Sequence, residues 1–371
     1  MPDTSSNPKD TPFMILRKPR IKDIAALAGV SIGTVDRVIH ERGEVAVKTR
    51  ERVKRILKET NYSPNVMARV LKSKKEYHLA SLLPEPSKDN SFWQKHAAGI
   101  ERAIDELELF NVKLTQITFD MFNEKDFQRK AESVLSLKPD GVLLAPIFKS
   151  ESISFCSGLT AINIPFVFVD GFIENTDFLA YIGEDIFKSG RVAGQLADMI
   201  TPEKSDILII SIARNIDNVH HLSNRMKGFL NYFEKSGINK GRKIKITIPE
   251  PSSDTIKTEI DRAFIENPGI RSIFMSGSKS YLIASYLKDS GYKTINLIGY
   301  DLLDHNVGYL RSGIIRFLIG QRPEEQTYKA VKKLFEYLSL NKVPEKIEYL
   351  PVDIITSENI DFFLKQDTKN R

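Results

Sequence analysis

Near the head of the chain a single glycine interrupts two short amphipathic stripes, and that interruption narrows the possible local folds more than any other feature. In RIKDIAALAGVSIGTVDRVIH, which begins at Arg20, Ile21, Ile24, Ala25 and Ala28 recur at i, i+3, i+4 and i+7. That is the one-sided stripe of a short buried helix. Gly29 follows, free to take the left-handed backbone of a tight turn, and Val30 can pack beneath it. Ser31 offers an N-cap hydroxyl to a second helix, which buries Val35, Val38 and Ile39 and turns Arg37 outward. Small side chains at Ala25, Ala28 and Gly29 let the two helices cross closely. This is the shape of a helix-turn-helix, although an unrelated helical hairpin can share the same hinge.

The next residues argue against the plain hairpin. A third amphipathic helix is expected from about Lys48 to Thr60, burying Val53, Ile56 and Leu57 and displaying Arg50, Arg52, Lys54, Arg55 and Lys58. It stops at Asn61-Tyr62-Ser63-Pro64, where the proline ends one helix and can open the next. The segment from Asn65 to Leu71 then writes about two helical turns, too few to be stable alone in water. Charge segregates with these helices. Residues 1–77 hold 17 Lys+Arg against 9 Asp+Glu, and the rest of the chain holds 37 against 39. The net of +8 at the front against −2 behind makes the front a module attracted to a phosphate backbone. Solvated lysines alone would not be expected to gather there.

Length allows two or three domains in 371 residues, and a hydrophobic content of 41% suffices for a substantial core. The lone Cys156 excludes an intramolecular disulfide and suits a reducing compartment. No apolar run approaches the ~20 residues of a spanning helix. Met1 to Arg20 has no hydrophobic block of a secretory signal, so a soluble, cytoplasmic protein without a membrane partner is expected. Residues 1–15 read as a disordered tail rich in Pro, Ser, Asn and Asp, and Arg17, Lys18 and Arg20 make a basic approach to the first helix.

The head resembles the lac repressor (LacI/GalR) family of transcriptional regulators. The resemblance is carried by Lys22-Asp23-Ile24-Ala25, Ala28-Gly29-Val30-Ser31, Thr34-Val35, Arg37-Val38, Lys48-Thr49-Arg50, Asn61-Tyr62, Pro64-Asn65 and Ala68 with Leu71. It implies DNA binding by Arg20, Ser31, Ile32, Gly33, Thr34, Arg37, Thr49, Asn65, Ala68 and Leu71. Ile32, Gly33 and Arg37 take the base-reading positions. Arg37 can pair bidentately with a guanine, and Ile32 can touch a thymine methyl. Gly33 stands where relatives use a long polar side chain, so less discrimination is expected there. Asp36 stands where a small hydroxyl is common; it can accept from a cytosine amine or orient Arg37, and the second role is favoured. Ala46 lacks a capping hydroxyl for the third helix. Leu71 corresponds to the leucine that wedges into the centre of an operator's minor groove from paired hinge helices. Its alternative role is packing against the neighbouring hinge helix, which Met67 and Ala68 also serve.

After Lys72-Ser73-Lys74-Lys75 short apolar runs alternate with longer amphipathic stretches. Strands are expected at residues 78–84, 112–117, 141–146, 165–170, 206–211, 244–248, 272–275, 295–299 and 347–355, with helices between them and at 323–338. Such alternation implies an α/β fold, two parallel doubly wound sheets in a bilobal body behind an all-α head. No G-x-G-x-x-G follows a strand and no Walker A motif occurs. The organisation expected is a helix-turn-helix domain over 16–63, a hinge helix and linker over 64–76, and an effector-binding core over 77–371. Lobe 1 is placed at about 77–176 and 302–322, and lobe 2 at about 177–300 and 323–365.

The body is similar to the periplasmic-binding-protein-like (type I) core of the same family, especially its ribose-binding type. The matching residues are Asn90-Ser91-Phe92-Trp93, Phe168-Val169-Asp170, Gly183-Glu184-Asp185, Arg225 with Gly228-Phe229, Gly299-Tyr300-Asp301 and Gln321-Arg322-Pro323. They fall near strand carboxyl ends, where open α/β sheets bind ligands. The resemblance implies an effector site of Asn90, Phe92, Trp93, Asp170, Arg225, Asp301 and Gln321. Their chemistry suits a sugar or polyol. Aromatic rings cover an apolar ring face, carboxylates accept from hydroxyls, Arg225 donates a fork of bonds and Gln321 does both. Each has a duller alternative: Trp93 as core, Arg225 paired with an interdomain carboxylate, Asp170 or Asp301 as helix caps. Ser276-Gly277-Ser278 departs from relatives that carry Asn-Asp or Asp there, which implies a different ligand or a different mode on that side.

Catalysis finds little support. His220-His221 lack a spaced third metal ligand, no G-x-S-x-G or H-E-x-x-H occurs, and Cys156 has no evident histidine partner. Asp170 and Asp301 suit glycoside chemistry in principle, but a DNA-reading module ahead of them favours binding, so no enzyme, metal or cofactor is expected. Only Leu364 to Arg371 follow Phe363, too short for a tetramerising heptad helix, so a homodimer on a pseudopalindromic operator is expected. The rival is a solute-binding protein of transport or sensing that never meets DNA; the basic front and missing signal count against it. Arg37→Ala is expected to relax sequence preference in duplex binding, whereas Arg17→Ala weakens binding to all sequences alike. Equal losses on every duplex from both variants would refute the recognition-helix assignment.

Overall fold

The computed structural model describes residues 19–60, 62, 71, 75–86, 91–213, 220–236, 241–249, 251–292 and 294–369, without the side chains of 220, 236 and 365–369. Arg17, Asn65, Ala68 and Asn90 lie outside the described residues. The chain divides into two units, Met1–Ser73 and Lys74–Arg371.

In the first unit, helices α1 (Ile21–Ala28), α2 (Ile32–Ile39) and α3 (Val47–Glu59) enclose Ile24, Ala25, Ala28, Val35, Val38 and Val53. Gly29 closes α1 in the left-handed conformation at φ 60°, and the Val30 N–H donates back to the Ala25 carbonyl at 3.0 Å. The Ser31 hydroxyl accepts from the Thr34 N–H at 3.1 Å, the expected N-cap. Ala46 stands at the N-cap of α3 without a side-chain bond. Ile39, Ile56 and Leu57 are only partly buried against this core, because three short helices cannot enclose every apolar position.

The second unit holds two six-stranded sheets. The first lobe begins with β1 (Tyr77–Pro84), α4 (Phe92–Leu107), β2 (Val112–Phe119), α5 (Glu124–Leu137), β3 (Gly141–Leu144), α6 (Lys149–Ala161), β4 (Phe166–Val169) and β5 (Ala180–Gly183). The chain crosses to α7 (Ile186–Ile200), β6 (Asp206–Ile212), α8 (His220–Ser236), β7 (Lys243–Ile248), α9 (Ser253–Glu266), β8 (Ile270–Met275), α10 (Ser280–Asp289), β9 (Asn296–Tyr300), α11 (Asp304–Arg311) and β10 (Ile315–Gly320). It returns for α12 (Pro323–Leu340) and β11 (Ile347–Tyr349), then crosses again to β12 (Asp353–Ile355) and α13 (Ile360–Lys369). The sheet orders are β11-β5-β4-β3-β1-β2 and β12-β10-β9-β8-β6-β7.

Burial on both faces explains the strand sequences. In β6, Leu208, Ile210 and Ile212 join one core cluster while Ile207 and Ile209 join the cluster on the opposite face. A continuous apolar run is what a central parallel strand requires.

Several expected boundaries are corrected. β5 pairs with β4, so residues 180–183 belong to the first lobe. β10 pairs with β9 in the second sheet, although 302–322 was expected in the first lobe. Helix α12 packs on α4, with Thr327 Oγ1 donating to the His96 carbonyl at 2.7 Å and the Tyr328 hydroxyl donating to Glu106 at 2.8 Å. It therefore belongs to the first lobe, not the second. The single strand expected over 347–355 is two strands, one in each sheet, and β12 runs antiparallel to β10. Hydrophobic pattern marks a strand but not the sheet it joins, because both sheets bury the same kinds of side chain. Among the described residues no helix is long and apolar enough to cross a membrane.

Helices α7 and α8 meet backbone to backbone. A Cβ at Gly190 would run into the Arg225 carbonyl, and one at Gly228 into the Phe187 carbonyl. Gly228→Ala is expected to destabilise the fold by about 1–3 kcal/mol through forced separation of the pair. A lower denaturation midpoint checks this; a wild-type midpoint would show that the crossing has slack.

Candidate functional site

In each sheet the strand order reverses beside the first strand of its lobe, β1 or β6, and the carboxyl ends of both sheets border one cleft. Its volume is about 630 Å³, within the ~300–1,000 Å³ usual for small-molecule sites. Phe92, Trp93, Asp170, Arg225, Asp301 and Gln321, every described member of the expected effector set, line it together.

Arg225, on α8, is buried in its wall. Its Nε donates to Glu184 Oε1 at 2.9 Å, Nη2 donates to the same oxygen at 2.5 Å, and Nη1 donates to the Ser276 carbonyl at 3.2 Å. Nη2 also donates to Gln321 Oε1. The Tyr300 ring lies under the guanidinium, 4.0 Å from its carbon. Glu184 and Gln321 sit in two of the three segments by which the chain passes between lobes. The interdomain-carboxylate alternative for Arg225 is therefore realised, and the same side chain still borders the cleft.

Asp170 and Asp301 occupy matching places, each directly after the fourth strand of its lobe with positive φ, 63° and 70°. Neither caps a helix. The Asp170 N–H donates to Gln326 Oε1 at 2.8 Å, and no described residue donates to its carboxylate. Asp301 accepts from Gln321 Nε2 at 2.9 and 3.0 Å. Burial pushes the Asp170 carboxyl up to about 6, with Arg225 opposing and Glu184 adding to the rise. Burial likewise pushes Asp301 up to about 7 against the pull of Arg225.

The aromatic wall comes from the start of α4. Phe92 and Trp93 meet edge to face at 5.1 Å, and Trp93 stacks on His96 at 4.5 Å. His96 is fully buried, and burial lowers it to about 3, so the imidazole under Trp93 is neutral. Trp93 is thus a core residue that also presents itself to the cleft. On the first-lobe side Phe122 and Phe148 add to the wall, and the Lys279 ammonium of the second lobe lies 4.9 Å from the Phe122 ring centre.

Sequence reasoning missed the residues that hold this site. Gln326, buried in the first turn of α12, donates to the Gln321 carbonyl at 2.9 Å besides accepting from Asp170. Asn306 Nδ2 donates to the carbonyls of Ser278, Tyr300 and Asp301 at 2.7–3.0 Å, joining two loops. No local signal distinguishes either from a surface amide. Gly277 does line the cleft, and it contributes backbone only.

In the first unit, Ser31, Ile32, Gly33 and Arg37 are exposed along α2, Thr34 and Thr49 are partly exposed, and Arg20 is exposed ahead of α1. Arg20 is also engaged locally, its N–H donating to Asp23 at 2.8 Å. Asp36 does not orient Arg37. Its carboxylate lies 3.5 Å from His40 Nε2, because residues four apart share a helix face and neighbours in sequence do not. Leu71 is helical and exposed.

Residues 82–342 match the periplasmic binding protein domain model, and residues 20–65 match the model for bacterial regulatory proteins of the lacI family. The chain is 27% identical over 219 residues to the ribose operon repressor of Lactococcus lactis subsp. lactis, covering 59% of this chain and 61% of that protein. It is 35% identical over 154 residues to the HTH-type transcriptional regulator DegA of Bacillus subtilis, covering 41% of this chain and 44% of the relative. The matches to these two relatives thus span less than two thirds of their lengths. A crystal structure described as a LacI transcriptional regulator from Bacteroides fragilis superposes with a TM-score of 0.72 at 27% identity, covering 78% of this chain and 99% of that one.

The buried acids predict a pH dependence. Both carboxyls are raised above 3.8, so their protonated forms stabilise the ligand-free fold fully below about 4. That contribution is lost as pH rises through about 6 for Asp170 and about 7 for Asp301. Asp301→Asn is expected to flatten the upper part of this loss in melting curves between pH 5 and pH 8. An unchanged profile would place the titration elsewhere.

Proposed function

We infer that this chain, which belongs to the periplasmic binding protein domain family over residues 82–342 and matches the model for bacterial regulatory proteins of the lacI family over residues 20–65, is a sequence-specific DNA-binding transcriptional regulator, acting as a repressor under control of a small effector. The observation that carries this is the cleft. Aromatic faces, two carboxylates and a guanidinium from both lobes converge on a volume suited to a small molecule.

A sugar or polyol fits these groups best. The Asp170 carboxylate, to which no described residue donates, is an acceptor for paired hydroxyls, Phe92 and Trp93 offer faces for the C–H side of a ring, and the amide of Gln321 can serve either way. The name of the ribose operon repressor among its relatives points the same way. The match to a DNA-binding regulatory model ahead of this cleft favours binding without turnover. Cytoplasmic residence, a homodimer and a pseudopalindromic operator follow as parts of the same proposal.

Coupling uses the crossings between lobes. An effector that touches Asp170 in one lobe and Asp301 in the other favours one lobe orientation. The segment Pro64–Leu71, whose sequence writes a helix too short to persist alone, transmits that preference to the DNA-binding head. Effector and operator affinities then shift each other reciprocally, typically by ~1–3 kcal/mol.

The test is duplex selection with the full chain, repeated with a panel of sugars and polyols, beside thermal shifts with the same panel. A selected duplex whose affinity changes with one of these compounds is expected. Trp93→Ala should weaken that compound by about tenfold or more, the loss of ~1.5–3 kcal/mol of buried aromatic contact. Compound binding with no duplex preference would instead support a solute-binding protein.

A further inference from the structure

Helix α2 carries an acid on the face opposite its buried side. Val35 and Val38 face the core, and at 3.6 residues per turn the outward face is centred on Gly33 and His40, flanked by Asp36 and Arg37. Gly33 leaves the centre of this face as a notch. A Cβ there would meet only Ser31 Oγ, at 3.7 Å. Asp36 stands beside the notch with its side chain 53% exposed, and it is aligned with His40 one turn on, not with Arg37.

A carboxylate on this face is unfavourable beside phosphates, in a region of the chain whose net charge is otherwise strongly positive. The major-groove base edges provide the compensating partner. An ionised carboxylate only accepts, and cytosine N4 and adenine N6 are the amines displayed there. Adenine sets the N7 lone pair on the outer side of its amine, which repels a carboxylate; cytosine carries only C5–H on that side, although the paired guanine O6 lies on the other. An aspartate is short, and it reaches a base edge only if the helix seats closely. The missing side chain at Gly33 permits that approach.

We propose that Asp36 is a base-reading residue that accepts from a cytosine N4 amine in the major groove, in the notch left by Gly33 and beside the base contacted by Arg37, with His40 as the positioning residue for its carboxylate. This rests on the DNA-binding assignment of the first unit. It replaces the role of orienting Arg37.

The test is selection from a randomised duplex pool at one fixed salt concentration, using the full chain, Asp36→Ala, Asp36→Asn, His40→Gln and Arg37→Ala. In Asp36→Ala, preference for cytosine at one position should fall by roughly tenfold while other positions keep their profile. Asp36→Asn should move that position toward adenine, since an amide pairs with N6 and N7 together. His40→Gln should weaken the cytosine preference without moving it to another base. An unchanged profile with tighter binding to every duplex would overturn the proposal, leaving Asp36 as mere repulsion. Were the wild type and Arg37→Ala both to select nothing, the DNA-binding assignment itself would fall, and this proposal with it. The side chain is exposed, so circular dichroism of the variants should match the wild type.

Discussion

A guanidinium buried in the second lobe organises the body of this protein. Arg225 cannot leave its charge unpaired without a penalty of several kcal/mol, and losing one partner of such a pair costs about 3–5 kcal/mol. Its partners are Glu184 and Gln321, from two segments in which the chain passes between lobes. The requirement to satisfy one charge therefore constrains both crossings at once. Gln321 in turn holds Asp301, and Gln326 ties Gln321 to the backbone of Asp170. The cleft-lining acids of the two lobes are thus linked through a chain of hydrogen bonds that begins at Arg225.

The two acids repeat each other. Each follows the fourth strand of a sheet with the same order, and each takes left-handed backbone that aspartate tolerates better than most residues. Burial favours their neutral forms, so a ligand that donates hydrogen bonds to the ionised carboxylates works against desolvation. Closure around such a ligand is a direct way to couple occupancy to lobe orientation. The neutral His96 beneath Trp93 adds a rigid base to the aromatic wall at no electrostatic cost to the neighbouring acids.

The head follows different physics. Its core is small, and the residues expected to meet DNA along α2 are exposed or partly exposed side chains positioned by caps: Gly29 at the turn and Ser31 at the start of α2. Local geometry determines which side chains share a face. Asp36 pairs with His40 across one helical turn, and Arg37 is left to act independently.

Local periodicity was enough to identify the three head helices, the glycine turn, the absent cap at Ala46 and the strand–helix alternation of the body. Those features depend on interactions within a few residues, and sequence spacing records them directly. The six described residues of the expected effector set were chosen through resemblance in their short motifs, and they meet in one cleft. The short strand Ala180–Gly183, the assignment of β10 and α12 to opposite lobes, and the division of residues 347–355 between two sheets were not legible. Two similar sheets bury similar apolar faces, so only pairing decides which sheet a strand joins. Gln326 and Asn306 were hidden for the same reason: an amide becomes structural only when distant backbone groups are brought within hydrogen-bond distance of it. Local elements and the chemistry available were written in the chain, while the partner of each buried polar group was decided by the packing of segments far apart in sequence.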